Sequence, residues 1–197
     1  MFYKILKVIF RFTFNLLFSP KVIGAENVPK EGAMIMAANH MSNWDPPLLA
    51  CFMPRIVSYM AKEELFEHPI FGTAIRICHA FPVKRGAADR AAIKTAVQVL
   101  KGGHCLGLFP EGTRSRTGKM RKAEAGVGLI AAMTGAPVVP AAILGTDKIF
   151  ANGGFLPKLT ILVGEPMHFT GDRKDKEQLE AFSQSILDEI ARMKQTV

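Results

Sequence analysis

At 197 residues and 49% hydrophobic, the chain suits one domain with a self-sufficient core, which excludes a disordered protein or a scaffold that depends on staples. A formal charge of +8 calls for anionic partners such as a membrane surface or phosphorylated compounds; nucleic acid is not expected, because one Trp and two Tyr cannot interleave with the cations and no nucleic-acid motif occurs. The three cysteines, Cys51, Cys78 and Cys105, are odd in number and lie in apolar stretches without metal-ligand spacing, so they read as buried free thiols of a reducing cytoplasm.

The first eighteen residues, MFYKILKVIFRFTFNLLF, form the first predicted element. At 100° per residue Lys4, Lys7, Arg11 and Asn15 fall within an arc of about 80°, and Ile5, Leu6, Ile9, Phe10, Phe12, Leu16 and Leu17 cover the rest. Such a helix is short for a membrane span, and its cations are costly at the bilayer centre. Lys7 and Arg11 interrupt any signal-peptide core, and no small-residue cleavage site follows. Residues 1–20 are therefore expected to lie in the membrane interface with their cations at anionic head groups, at the cytoplasmic face of the cell membrane. Docking of this helix on the protein's own core is the alternative. Residues 21–197 form the second unit, with no repeat, low-complexity tract or dividing linker.

Beyond Pro20, apolar runs suited to buried strands cover residues 33–38, 56–61, 80–83, 105–109, 138–144 and 159–163. Helical stretches alternate with them at 46–52, 63–77, 89–101, 123–134 and 176–193. Gly102, Gly103 and Gly135 follow helices as C-caps, and Asp45 before Pro46 reads as an N-cap with proline in the first turn. Alternation of strand and helix predicts an α/β fold with a mixed, largely parallel sheet flanked by helices.

Three strand ends carry chemistry. ANHMSNWDPP places His40 just past the carboxyl end of a predicted strand, where open α/β sheets bind ligands, and Asp45 five residues on. The carboxylate can orient the imidazole so that its other nitrogen removes a proton, or it can serve only as the helix cap. Metal binding would need a further ligand, and His68, His79 and His104 have no pairing that supplies one. The second end is FPEGTRSRTGK, residues 109–119, where glycines open the loop and Arg114, Arg116 and Lys119 concentrate charge suited to a phosphate or simply to solvent; the Gly-Lys-Ser/Thr ending of a P-loop is missing. The third, FPVKRG at 81–86, ends in Lys84 and Arg85. Convergence of all three on one face is the expectation.

At these residues the chain resembles the glycerolipid acyltransferases, most closely the bacterial branch that acylates 1-acylglycerol 3-phosphate. The family's NHxxxxD motif reads as Asn39, His40 and Asp45; FPEGTRS reads unchanged from Phe109 to Ser115; an apolar stretch ending in Arg85 and a strand centred on Pro140 match the other two motifs. The resemblance implies the family's fold and transfer of a fatty acyl group from an acyl carrier protein or coenzyme A thioester to the sn-2 hydroxyl of lysophosphatidic acid, giving phosphatidic acid. It implies His40 as base, Asp45 as its orienting partner, Arg85 and Arg114 on the acceptor's phosphate, Glu111, Gly112 and Thr113 lining the substrate, Pro140 near the acyl chain, and neither metal nor cofactor. No serine or cysteine occupies a nucleophile elbow, so transfer is expected to be direct. Three other readings remain: another acceptor such as glycerol 3-phosphate, a non-catalytic lipid-phosphate binding module, and a thioesterase or lysolipid hydrolase.

Overall fold

The computed structural model of the chain describes residues 2–84, 89–115, 120–150 and 156–197. The run Met34–Ala38 is apolar at every position and forms strand β2, buried on both faces. Side chains alternate across it, so Met34, Met36 and Ala38 join one core while Ile35 and Ala37 join the other. The remaining strands are β1 (Lys21–Ile23), β3 (Val57–Lys62), β4 (Ala80–Val83), β5 (Cys105–Leu108), β6 (Val138–Leu144) and β7 (Thr160–Val163). Among the described residues they make one sheet in the order β1-β7-β6-β2-β5-β3-β4. Neighbours are parallel except β6 and β7, so the fold is α/β with the mixed, largely parallel sheet that the alternation predicted. Strands β2 to β6 consequently all end at one edge.

Helices cover both faces. α1 (Phe2–Phe18) and α2 (Asp45–Phe52) supply Phe14, Leu48 and Leu49 to the first core. α3 (Pro69–Ile77) packs beside β4. On the opposite face α4 (Arg90–Lys101), α5 (Gly126–Thr134) and α6 (Lys176–Lys194) supply Leu100, Ile130 and Ile186 to the second core. Gly135 closes α5 at φ 68°, a conformation that glycine adopts without strain.

Several expectations need correction. The helix predicted over 63–77 is two pieces, a 3-10 turn Glu63–Phe66 and then α3. Pro69 has no N–H with which to continue a helix, and it starts a new one whose first turn is capped by the His68 ring accepting the Phe71 N–H at 3.2 Å. The helix predicted from 123 begins at Gly126. β1 escaped the sequence reading because three residues at a sheet edge carry too little periodicity. Cys51 and Cys105 are buried, and burial pushes their thiols up to about 11 and about 12; Cys78 is only half-buried.

The orientation of α1 also differs from the expectation. Phe14 is buried, with its ring centroid 6.1 Å from Trp44 and 6.3 Å from Phe52, and Tyr3 is buried near His79. Two of the cations assigned to lipid head groups instead face α2: Lys7 Nζ donates to the Met53 carbonyl at 2.9 Å and Arg11 stands 5.3 Å over the Phe52 ring. The cause is the carboxyl end of α2, where unpaired carbonyls and the negative end of the helix dipole attract cations. Burial in turn holds the Lys7 ammonium below the usual lysine value. The helix thus docks by one stripe and leaves a second apolar stripe outside: Ile5, Ile9, Val8, Phe12 and Leu16 are exposed, the last two at 67% and 70%. Among the described residues no helix is long and apolar enough to cross a membrane.

Candidate active site

Beyond Ala38 the chain leaves β2 at the carboxyl edge of the sheet. Asn39, fully buried, prolongs the ladder with its side chain: Nδ2 donates to the Ile143 carbonyl at 2.9 Å and Oδ1 accepts the Ile143 N–H at 2.7 Å. An amide is the side chain that can mimic a peptide in both directions, which accounts for its place before His40.

His40 Nδ1 lies 2.9 Å from Asp45 Oδ2, and both side chains are buried. Asp45 was also expected to cap α2, and here the structure overturns the expectation: no side-chain cap is made, and the carboxylate turns back to accept the Met41 and Ser42 N–H groups at 2.7 and 2.8 Å. Pro46 and Pro47 have no N–H to be capped, and the Leu48 N–H is taken by the Trp44 carbonyl, so the donors a cap would satisfy are absent. Its other oxygen, Oδ1, accepts the Thr146 hydroxyl at 2.5 Å. Four donors engage the carboxylate, three on Oδ2 and one on Oδ1. An acceptor so occupied fixes the proton of His40 on Nδ1, which leaves the lone pair of Nε2 free for a proton from outside.

The second motif clasps the first. β5 runs beside β2, and the segment after it is tied to His40's own peptide groups: Glu111 Oε1 accepts the His40 N–H at 3.0 Å, and the Ser115 N–H donates to the His40 carbonyl at 2.9 Å. Glu111 is 2% exposed, and its other oxygen accepts the Arg121 N–H at 3.0 Å. A buried carboxylate is tolerated because backbone donors meet both its oxygens. Gly112 makes the turn at φ 67°, and Phe109 lies flat on the imidazole with centroids 4.0 Å apart and planes at 19°. Tyr59 stacks on the far side of Phe109 at 6.2 Å. His40 is therefore held at its peptide, its ring face and its Nδ1.

The other sequence-derived residues are placed as follows. Arg114 is exposed on the clasped segment, and Thr113 accepts a hydrogen bond from Arg121 Nη1 at 2.6 Å. Beside Glu111 opens a cavity of about 460 Å³ whose walls include Arg121, Lys122, Glu124 and Lys176, a polar surround unsuited to an acyl chain. Pro140 is buried in β6 level with Ala37 of β2, and its ring faces Gly164 on the α6 side. Its missing N–H falls where the chain after β7 bulges: Val163 opposes Ala141, but Met167 opposes Val138, one residue more than the strand register requires. The third basic strand end is set apart, since β5 and β3 stand between β2 and β4, a lateral distance of about 14 Å at ~4.8 Å per strand. Lys84 is exposed with Nζ 3.8 Å from Glu63, and Arg85 lies outside the described residues. Thr146, which the sequence reading did not single out, follows the β6 end in the turn Thr146–Lys148; its only sequence signal is a Gly-Thr pair just past an apolar strand. Among the described residues no three His, Cys, Asp or Glu side chains gather to hold a metal ion.

A histidine held through Nδ1 by a buried carboxylate, at the carboxyl edge of the parallel strands, is an arrangement suited to accepting a proton at Nε2. The family model for acyltransferases matches residues 19–144, and the chain belongs to the acyltransferase family. It is 34% identical over 176 residues to the 1-acyl-sn-glycerol-3-phosphate acyltransferase of Bacillus subtilis, covering 86% of this chain and 85% of that protein. The Pseudomonas aeruginosa protein of the same name is 28% identical over 90% of this chain and 72% of its own length. Among solved structures, the 1-acyl-sn-glycerophosphate (LPA) acyltransferase PlsC of Thermotoga maritima superposes with a TM-score of 0.78 at 30% identity, over 98% of this chain and 79% of that one.

Proposed function

We propose that this acyltransferase moves a fatty acyl group from an acyl thioester of acyl carrier protein or coenzyme A to the free sn-2 hydroxyl of 1-acylglycerol 3-phosphate, giving phosphatidic acid. The observation that carries the reading is the His40–Asp45 pair clasped at its peptide by the Phe109–Ser115 segment. The acceptor hydroxyl gives its proton to His40 Nε2 as its oxygen attacks the thioester carbonyl, and Asp45 stabilises the imidazolium that forms. The C–O bond forms, the C–S bond breaks, and the proton passes from His40 to the departing thiolate. Arg114, a planar fork on the clasped segment, binds the acceptor's phosphate. Glu111 positions His40 through its peptide N–H. The base and the group that binds the acceptor's phosphate are both side chains of this chain, so the reading calls for no cofactor or metal.

Access to a lipid acceptor is assigned to the exposed stripe of α1, which lies in the bilayer surface as a peripheral anchor on the cytoplasmic side, where the acyl donor is found. The bond of Lys7 to Met53 leaves Lys4 and Arg11, both exposed, as the cations of the predicted arc available to an anionic surface. The acceptor and donor are tested together in vesicles offering 1-acylglycerol 3-phosphate, glycerol 3-phosphate or a lysophospholipid with a larger head group, each with acyl carrier protein and coenzyme A thioesters. Phosphatidic acid formation from the first acceptor is expected, and His40→Ala is expected to lower its turnover by about 10² or more. Preference for another acceptor, or wild-type turnover without His40, overturns the reading.

A further inference from the structure

We infer that Thr146 is a positioning residue of the reaction, acting through Asp45 on His40; the inference rests on the reading of His40 as base. Thr146 is 1% exposed and donates its hydroxyl proton to Asp45 Oδ1. The other three bonds to the carboxylate, from His40 Nδ1, Met41 N and Ser42 N, all fall on Oδ2. Oδ1 is therefore held by Thr146, and this bond sets the rotation of the carboxyl plane that brings Oδ2 to the imidazole.

The turn that presents Thr146 is built for it. Gly145 adopts φ 88°, and a Cβ there would stand 2.2 Å from the Lys158 carbonyl oxygen, so glycine is required where the chain passes from β6 into the Thr146–Lys148 turn. Asn39, the residue before His40, ties the same two strand ends together through Ile143. The base, its orienting carboxylate and the residue that orients the carboxylate thus come from β2, the start of α2 and the end of β6. Thr146 lies beyond the 19–144 segment that matches the family model, and 101 positions separate it from Asp45. Polar networks of this kind are strong when complete, and removal of one donor leaves a buried charged acceptor unmet. As the imidazolium forms, a carboxylate free to rotate would meet it with weaker alignment, so the loss falls on turnover and spares substrate binding.

The test compares Thr146→Val, which keeps the shape without the hydroxyl, with Thr146→Ser, which keeps the hydroxyl, each in the wild-type and Asp45→Asn backgrounds, with melting temperature recorded for all. In the wild-type background Thr146→Val is expected to lower kcat about tenfold, with KM for lysophosphatidic acid and for the thioester changed by less than about twofold. Thr146→Ser is expected to stay within about threefold of wild type. In the Asp45→Asn background Thr146→Val is expected to have no further effect on kcat, because the residue it acts through is already lost. Wild-type kcat in Thr146→Val, an equal loss in both backgrounds, or a serine variant as slow as the valine one each overturns the inference. If Asp45→Asn itself leaves kcat unchanged, the base reading fails and the role of Thr146 fails with it; an impaired Asp45→Asn beside a silent Thr146→Val removes Thr146 alone. Should the valine variant melt below the assay temperature, Thr146→Ala deletes the same hydroxyl and is judged by the same criteria.

Discussion

The two long terminal helices, α1 and α6, are both amphipathic and solve opposite problems. α6 buries Leu179, turns Ile186, Leu187, Ile190 and Met193 into the second core, and leaves Lys176, Glu177 and Arg192 to solvent, the arrangement expected of a helix surrounded by water. α1 buries only Tyr3 and Phe14, directs Lys7 and Arg11 towards α2, and exposes Ile5, Val8, Ile9, Phe12 and Leu16. Apolar periodicity alone does not separate these cases. What separates them is the number of apolar residues beyond those the core can take up, and α1 carries a second stripe of them.

The largest effect is expected from breaking that second stripe. Ile9→Asp with Phe12→Asp removes two apolar side chains whose burial in a bilayer surface is worth ~1.5–3 kcal/mol each, so binding to neutral vesicles should fall by about 10² or more in a flotation assay. Both positions are exposed, and the melting temperature should hardly move. A double variant that floats as wild type would make the stripe a site for some other partner. The reverse result is expected of α6. Ile186 is fully buried, and Ile186→Ala should cost ~2–5 kcal/mol in unfolding experiments, a drop of roughly 5–15 °C, while the folded fraction binds vesicles unchanged. The smallest effect separates two cations three residues apart. Lys4→Gln should weaken binding to anionic vesicles about fivefold without altering stability, whereas Lys7→Gln should lower stability through the lost bond to Met53 and leave the preference for anionic vesicles nearly intact. Equal loss of anionic binding in both variants would return Lys7 to the lipid side.

The sequence by itself determined the alternation that makes an α/β sheet, the interiors of six strands, and the two motifs that meet across β2 and β5. Strand interiors are legible because burial on both faces demands unbroken apolar runs, and NHxxxxD and FPEGTRS are legible because their residue types repeat the chemistry of a family. Only the tertiary structure decided where shared groups spend their hydrogen bonds. Asp45 is a reasonable cap by type and position, yet the two prolines behind it remove the donors and send its carboxylate to His40; that signal was present in the sequence and concerns what proline lacks. Glu111 is drawn inward to two backbone N–H groups, and Lys7 to a helix end more than forty residues away, because buried acceptors must be met by whatever donors the fold brings near. Thr146 meets Asp45 only because β6 lies next to β2. Contacts of that kind depend on strand order, which arises from the packing of the whole sheet and leaves no local mark on the residues that make them.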